Sequence, residues 1–548
     1  MVKTPFTRRS VMGSMAAIPV VAFIPTCMSR ADLRAALPQL DAGLPTLPAV
    51  AEFAPGPRKA RITPATKIVA VTDGASAEDA AALRITAELL ADDLAALTGL
   101  RRPQVRAGQP TPHDVGLRLG GTGDNPEAYT LVTDKATTIT GTGLAGVYWG
   151  TQTLLQLVRG AQRSAAGPRS VELSAAIVDA PAYGERAVMI DCARKYYSPE
   201  TLKKLIRQMS YLKLNTLQMH INESEGFRVE SKLFPQIVSE QHLTQDEVRD
   251  IIAYAKQRSV RIILDIDSPA HFRHILDVYP QWRLRLSNGH LATSKIDFSI
   301  DEAREFVKAL LGEMIDLFDT DIVHIGGDEY LPAPWEMWGE SAVTDARAPQ
   351  LVSWARTQLN NQSATLHDAY VLYMNEIGDF VRSKGKTVRQ WNDDVYPGQG
   401  LVEIDKRTQL DVWIRWNTSK PTALDYINAG YDVMNANGDY LYFILTSDGV
   451  GTGPYKHPQG IYERWHARRF MGAAGSAGDF DLPAQYPMLG AHLSIWADNA
   501  DALTQDEVLE NFQEWMQTFS QHLWGTPKPV PTLAELRDEV LSVVGTAP

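Results

Sequence analysis

Cysteine is almost absent from the chain: Cys27 and Cys192 are the only two among 548 residues. No disulfide framework is available, so the fold must stand on its core. If Cys27 leaves with a cleaved leader, no internal bridge can form at all. No CxxC pair and no cluster of His and Cys at ligand spacing occurs, so neither a metal site nor a cofactor is expected. Positive charge is also short, with 53 Lys and Arg against 65 Asp and Glu and a net charge of −12. Phosphate backbones need a basic face, so the charge argues against nucleic acid as a partner and leaves neutral substrates open. Long apolar runs are missing too. The run from Val11 to Ile24 is short and broken by Pro19, so no membrane span is expected. Short-period repeats and low-complexity tracts are lacking from the body of the chain.

The chain is too long for one compact core, and two or more domains are expected. Its start, "TRRSVMGSMAAIPVVAFIPTC", carries Arg8 and Arg9 ahead of the short apolar run. That pattern predicts a leader over 1–31, with cleavage near "MSRA", and the arginine pair suggests twin-arginine export from a bacterial cytoplasm. The expected location is periplasmic, cell-surface or secreted. "IPTC" is a poor lipobox, which argues against a lipid on Cys27. Residues 32–60 are rich in Ala, Pro and Leu without periodicity and read as a linker.

From 61 to 182 a small α+β domain is expected. "KIVAVT" reads as a strand, "AEDAAALRITAELLADDLAALTG" as an amphipathic helix ending at Gly99, "EAYTLVTDKATTITGT" as a hairpin and "AGVYWGTQTLLQLV" as a helix. From 183 to 548 strand and helix alternate. The predicted strands are Ala187–Asp191, Thr216–Ile221, Arg261–Ile266, Ile322–Ile325, Thr387–Trp391, Asp411–Ile414, Asp432–Ala436 and Met488–Ile495. Eight β/α steps predict a (β/α)8 TIM barrel with C-terminal helices. An open doubly wound sheet is disfavoured because no glycine-rich phosphate loop follows the first strand.

In such a barrel the active site lies at the C-terminal ends of the strands. Those ends carry Asp191, His220, Asn222, Glu223, Asp265, Asp267, His271, Asp328, Glu329, Trp391, Asp393, Trp413, Trp416, Tyr440, Tyr442, Trp496 and Asp498, while Arg186 opens the first strand. A lone tryptophan at a strand end is ordinary core packing, and His220 alone reads equally well as a satisfied core histidine. Asp191 could simply brace the barrel. Four tryptophans in one mouth with several carboxylates are another matter. Aromatic faces cover the C–H side of a pyranose, and carboxylates accept its hydroxyls. Crowded carboxylates also push their pKa values apart, so that one can stay protonated as an acid.

The stretch "HIGGDEY" resembles the signature of bacterial cyclases that join two GTP molecules, but that motif sits in a hairpin of a smaller cytosolic domain. Six stretches in order resemble the family 20 glycoside hydrolases, the β-N-acetylhexosaminidases: "RAVMIDCARKYYSPETLKKLIRQMSYLKLNTLQMHINESEGFRVES", "LDIDSPAHF", "HIGGDEY", "VRQWNDD", "NANGDYLYFIL" and "LGAHLSIWADN". "EAYTL" and "GTGLAGVYWGTQTLLQL" look like the small domain that precedes the barrel in that family. The resemblance implies an exported, retaining exo-β-N-acetylhexosaminidase acting on a glycan with a terminal β-linked N-acetylhexosamine. It implies Glu329 as general acid and base, Asp328 on the acetamido N–H and Tyr440 on the acetamido oxygen. Arg186 would grip ring hydroxyls, and Trp391, Trp413 and Trp496 would wall the pocket. Asp498 and Tyr442 would also contact the sugar, while His271, Glu223 and Asp267 would form a supporting network.

Three departures concern the fit around O4 and O6: Glu223-Ser224 replaces a frequent "DD", Tyr442 a frequent aspartate, and Asp498 a frequent glutamate. Similar variants occur in the lacto-N-biosidase-like branch, which releases a disaccharide. A sugar-binding barrel without catalysis is a further alternative. The sequence leaves the oligomeric state open.

Overall fold

The computed structural model describes residues 44–121, 123–163, 170–331, 342–451, 453–473 and 478–548. The expected leader, Cys27 and residues 332–335 lie outside the described residues. No helix among the described residues is long and apolar enough to cross a membrane.

The small domain is a seven-stranded mixed sheet. Its strand order is Glu52–Ala54, Ala176–Asp179, Tyr129–Thr133, Thr137–Gly141, Val115–Leu119, Lys67–Val71 and Gln104–Ala107. The hairpin is the expected one, pairing Tyr129 with Gly141 through Thr133 with Thr137. Two helices cover the sheet, α1 (Ala77–Thr98) and α2 (Leu144–Arg163). The Ser76 side chain caps α1 by accepting from the Asp79 N–H, and Gly99 closes it in the left-handed conformation that glycine adopts without strain.

The linker assigned to 32–60 needs correction over its described part. Leu47 is buried, its N–H donates to Gln156 Oε1 at 2.8 Å, and its carbonyl accepts from Gln156 Nε2 at 2.8 Å. Glu52–Ala54 and Ala60–Ile62 are strands, the first pairing with Ala176–Asp179 and the second with Val171–Leu173. Strands of three residues are too short to print a period of two, so composition alone reads them as linker.

The barrel strands are β1 (Glu185–Asp191), β2 (Thr216–His220), β3 (Arg261–Ser268), β4 (Ile322–Gly326), β5 (Thr387–Trp391), β6 (Gln409–Val412), β7 (Val433–Asn435) and β8 (Gly490–Trp496). Neighbours pair in parallel, and β1 pairs with β8 from Glu185–Gly490 to Ile190–Ile495, closing the ring. Helices α3 (Pro199–Tyr211), α4 (Gln245–Lys256), α5 (Asp301–Phe318) and α6 (Leu366–Ser383) run along its outside. Ser198 caps α3, and capping boxes at Thr244 and Thr365 start α4 and α6. A further strand, Tyr442–Thr446, lies alongside the end of β8.

A last long helix, α7 (Gln505–Trp524), joins the two domains. Trp524 Nε1 donates to Asp179 Oδ1 at 2.8 Å, Ala49 N–H donates to Gln521 Oε1 at 2.8 Å, and Ala182 N–H donates to the Trp524 carbonyl at 2.9 Å.

Candidate active site

The two glycines before Asp328 and Glu329 make the turn that brings both carboxylates over the barrel mouth. Gly326 and Gly327 have φ of 74° and 96°, where other residues are strained. Space matters as well. A Cβ on Gly326 would overlap the Asp267 carboxylate, and one on Gly327 would meet Tyr370 Oη at 2.8 Å. The bared backbone is used: Gly327 N–H donates to Asp267 Oδ1 at 3.2 Å, and its carbonyl accepts from Tyr370 Oη at 2.5 Å. Glu329 itself has a φ of 55°, and its N–H is held by Asp393 Oδ2 at 2.9 Å. A non-glycine residue in that region marks a conformation enforced by its surroundings.

His271 links the carboxylates. Its Nε2 is 3.3 Å from Glu329 Oε2 and 3.5 Å from Asp328 Oδ2, while Nδ1 is 2.8 Å from Glu223 Oε1. Burial alone would depress His271, but Glu223 and Asp328 outweigh it and hold the ring well above its ordinary pKa, as a cation. Glu223 shows the converse: burial is overcome by Arg194 and His271, and it is held well below the usual carboxylate range. Asp328 is raised, chiefly by burial and further by Glu329, against the pull of His271. Asp267 is raised well above its usual value by burial and by Asp328 beside it. The imidazolium and Asp267 therefore hold on to their protons, and Asp328 gives its own up less readily than a free carboxyl does. Asp267, His271 and Asp328 offer atoms within 4.8 Å of one another.

The aromatics divide into floor and wall. Trp391 is 1% exposed and packs on His324 at 4.7 Å and Trp496 at 6.1 Å, so it is floor. Trp413 stacks on Tyr442 at 5.9 Å with 7° between the planes, and its indole N–H donates to Asp393 Oδ1 at 3.0 Å. Trp496 packs on Tyr442 at 5.7 Å. His220 is a core residue, with Nδ1 2.9 Å from Asp265 Oδ2. Asp191 is a brace, accepting from the backbone of Ala193, Arg194 and Ala497 and from the Arg194 side chain.

Arg186 does not belong to this site. It sits at the opposite end of β1, 1% exposed, paired with Glu127 and donating to the carbonyls of Lys213 and Tyr183 at 2.8 Å each. Its guanidinium lies over Trp524 at 5.2 Å and Trp149 at 5.7 Å, so it ties the barrel floor to the small domain. The arginine at the mouth is Arg194, three residues beyond β1. It binds Asp191 Oδ2 at 2.8 Å and Glu223 Oε1 at 2.5 Å, lies 3.9 Å from Asp498 Oδ1 and covers Trp496 at 5.5 Å. The rule that barrel sites form at C-terminal strand ends points to Arg194 over Arg186. The two tyrosines also part company: the buried Tyr442 phenol feels the charges of Asp328, Asp393 and Glu329, while Tyr440 donates to Asp479 Oδ2 at 2.9 Å.

A closed parallel barrel with paired carboxylates in an aromatic mouth defines a glycoside hydrolase architecture. The model of the glycosyl hydrolase family 20 catalytic domain matches residues 183–510, and that of the family's domain 2 matches residues 44–180. The chain belongs to glycosyl hydrolase family 20.

Among its relatives, it is 26% identical to a lacto-N-biosidase of Bifidobacterium bifidum over 468 residues. That match covers 84% of this chain but only 38% of the relative. It is 26% identical to a β-hexosaminidase of Vibrio furnissii over 447 residues, 74% of this chain and 67% of the relative. In fold it is similar to the family 20 exo-β-N-acetylglucosaminidase of Vibrio harveyi solved with N-acetylglucosamine. There the TM-score is 0.70 at 21% identity, covering 93% of this chain and 79% of that one.

Proposed function

We propose that this protein is a retaining exo-β-N-acetylhexosaminidase that uses the substrate's own 2-acetamido group as nucleophile. One observation carries the reading: Asp328 and Glu329, adjacent in sequence, both stand within 3.5 Å of the His271 cation at the mouth of an aromatic-walled barrel. Family 20 enzymes depart from the usual two-carboxylate scheme because the enzyme supplies no covalent nucleophile.

In the first step the acetamido oxygen bonds to C1 as the glycosidic C1–O bond breaks, and the Glu329 proton passes to the departing oxygen. Asp328 accepts the acetamido N–H, and a tyrosine hydroxyl at the barrel rim donates to the acetamido carbonyl. Glu329, now a carboxylate, takes a proton from water as that water attacks C1. The cyclic intermediate reopens to the acetamide, leaving the β-anomer. The test is NMR of the first-formed anomer together with an assay of glycosides lacking the acetamido group. The β-anomer and no cleavage of the plain glucoside are expected. First release of the α-anomer, or a trapped covalent sugar–protein adduct, overturns the mechanism.

A second reading is supported by Tyr442, which stacks flat on Trp413 where a charged acceptor would close the pocket, and by the likeness to a lacto-N-biosidase. In that case the enzyme frees a disaccharide. Cleavage of an aryl lacto-N-bioside without cleavage of the simple N-acetylglucosaminide decides for it; the converse decides against it. A non-catalytic sugar-binding barrel would cleave neither. Export by the twin-arginine route belongs to the same proposal, motivated by Arg8 and Arg9. An Arg8→Lys/Arg9→Lys variant that is still found outside the cytoplasm in full amount would count against it.

A further inference from the structure

We propose that Asp393 is a positioning residue for the reaction: its carboxyl group fixes the Glu329 backbone and the Trp413 indole together, so that the general acid and the aromatic wall share one anchor. The inference rests on reading Glu329 as the general acid and goes beyond it to what holds that acid in place.

The stretch "WNDD", which ends β5, ties the strands on either side of it together. Asn392 serves the β6 side. Its Oδ1 accepts from the Trp413 backbone N–H at 3.0 Å, and its Nδ2 donates to the Ile414 carbonyl at 2.8 Å. Asp394 serves the β4 side, where Oδ2 accepts from the Leu331 N–H at 2.8 Å. Asp393 stands between them and reaches both ways. Its Oδ2 accepts from the Glu329 N–H at 2.9 Å, and its Oδ1 accepts from the Trp413 indole N–H at 3.0 Å. The side chain is buried, so water does not readily stand in for either bond.

Both bonds fall where position matters. Glu329 follows two glycines and has a φ of 55°, which a glutamate keeps only where its surroundings impose it. The Asp393 bond is made to the amide of that same residue. Trp413 in turn lies flat on Tyr442, with 7° between the planes. A shift of Asp393 therefore moves the acid and the wall together.

Burial, and after it the charges of Asp394 and Asp328, push Asp393 well above the usual carboxylate range, while the bonds from Glu329 and Trp413 pull it back. Acceptor count explains why a carboxyl is kept in so unfavourable a place. Both partners are donors, and an amide of the same shape has only one acceptor oxygen.

The experiment exploits that count. Asp393→Asn turns one acceptor into an NH2, which must then oppose either the Glu329 N–H or the Trp413 N–H. The bond-breaking step is measured by single turnover on a glycan substrate and on the nitrophenyl glycoside, in Asp393→Asn, Glu329→Gln and the double variant. Equal losses on the two substrates in Glu329→Gln would sink the acid reading and the proposal with it. Given the expected difference there, Asp393→Asn should lower the glycan rate about 10²-fold and the nitrophenyl rate less than about tenfold. Added to Glu329→Gln, it should cost the glycan less than about threefold more, because Asp393 acts through the acid. Trp413→Phe keeps an aromatic wall and cuts only the indole bond. It should show the same dependence on leaving group at about tenfold, and it carries the test should Asp393→Asn not fold. Equal losses on the two leaving groups in these variants, or full additivity with Glu329→Gln, would leave Asp393 a structural residue and overturn the assignment.

Discussion

Glu329 Oε2 is held 3.3 Å from His271 Nε2, and the imidazolium on its other side is anchored 2.8 Å from Glu223. A carboxyl so placed can give up a proton to a leaving oxygen and recover one from water without the imidazole leaving its partners. Glu329→Gln should therefore lower kcat about 10²- to 10⁴-fold on a glycan substrate. On a nitrophenyl glycoside the loss in the bond-breaking step should be much smaller, because that leaving group departs without a proton. Pre-steady-state release of nitrophenol is the measurement. Equal losses on both leaving groups would remove Glu329 from the acid role.

The turn before the carboxylates admits no side chain. Gly326→Ala would push a methyl into the Asp267 carboxylate, and Gly327→Ala would add contacts of 2.8 Å at Tyr370 and Met374 while straining a φ of 96°. Each variant should lose at least about 3 kcal/mol in urea unfolding, with activity lost alongside.

The two arginines of the first strand and its loop should separate stability from turnover. Arg186→Met leaves the Glu127 carboxylate without its cation at the domain junction, and about 3–5 kcal/mol of stability should go with it. Arg194→Lys keeps the charge but loses the fork that spans Asp191 and Glu223 beside Asp498. It should lower kcat/KM about 10- to 100-fold, with a much smaller change in the unfolding midpoint.

Asp394 gives a pH signature. Burial pushes its carboxyl up to about 6, against the hydrogen bond from the Leu331 N–H at 2.8 Å. The unfolded chain releases this proton near the ordinary value of 3.8 and the folded chain only near 6. Between those values the folded state holds more protons, so stability falls as pH rises and stays lower above. Asp394→Asn removes this contribution, and its decline between pH 4 and 6 should be shallower by about 2 kcal/mol. A decline as steep as that of the unaltered chain would refute the assignment.

Much of this is legible in the sequence. The pattern gives Thr387–Trp391 to the residue, because a buried strand between a helix end and "NDD" has little room to shift. Asp328, Glu329, His271, Glu223 and Asp267 read as one cluster at the strand ends, and they meet. Two choices are not legible. Arg186 stands at the start of β1 and Arg194 beyond its end; the strand-end rule favours Arg194, but the Glu127 partner that takes Arg186 lies in the other domain, far along the chain. Tyr440 and Tyr442 stand two apart, and Tyr440 lies in the turn that precedes the Tyr442–Thr446 strand. Which ring enters the mouth depends on that turn and on Asp479, nearly forty positions downstream. The edge strands at Glu52–Ala54 and Ala60–Ile62 escape a local reading because their partners, Ala176–Asp179 and Val171–Leu173, lie far along the chain.

The clasp made by α7 bears on how the chain is made. β1 has no partner on one side until Gly490–Trp496 has been synthesised, and the small domain lacks the acceptor for Ala49 until Gln521 follows. Until those segments emerge the nascent chain therefore carries an open sheet edge and an uncovered domain junction. Contacts of such long sequence separation form slowly, and unpaired edges invite association in the meantime. Emergence of Gly490–Trp496 and Gln521, rather than of the strands before them, is the event that lets these two domains close, and holding nascent chains apart until then should govern the yield.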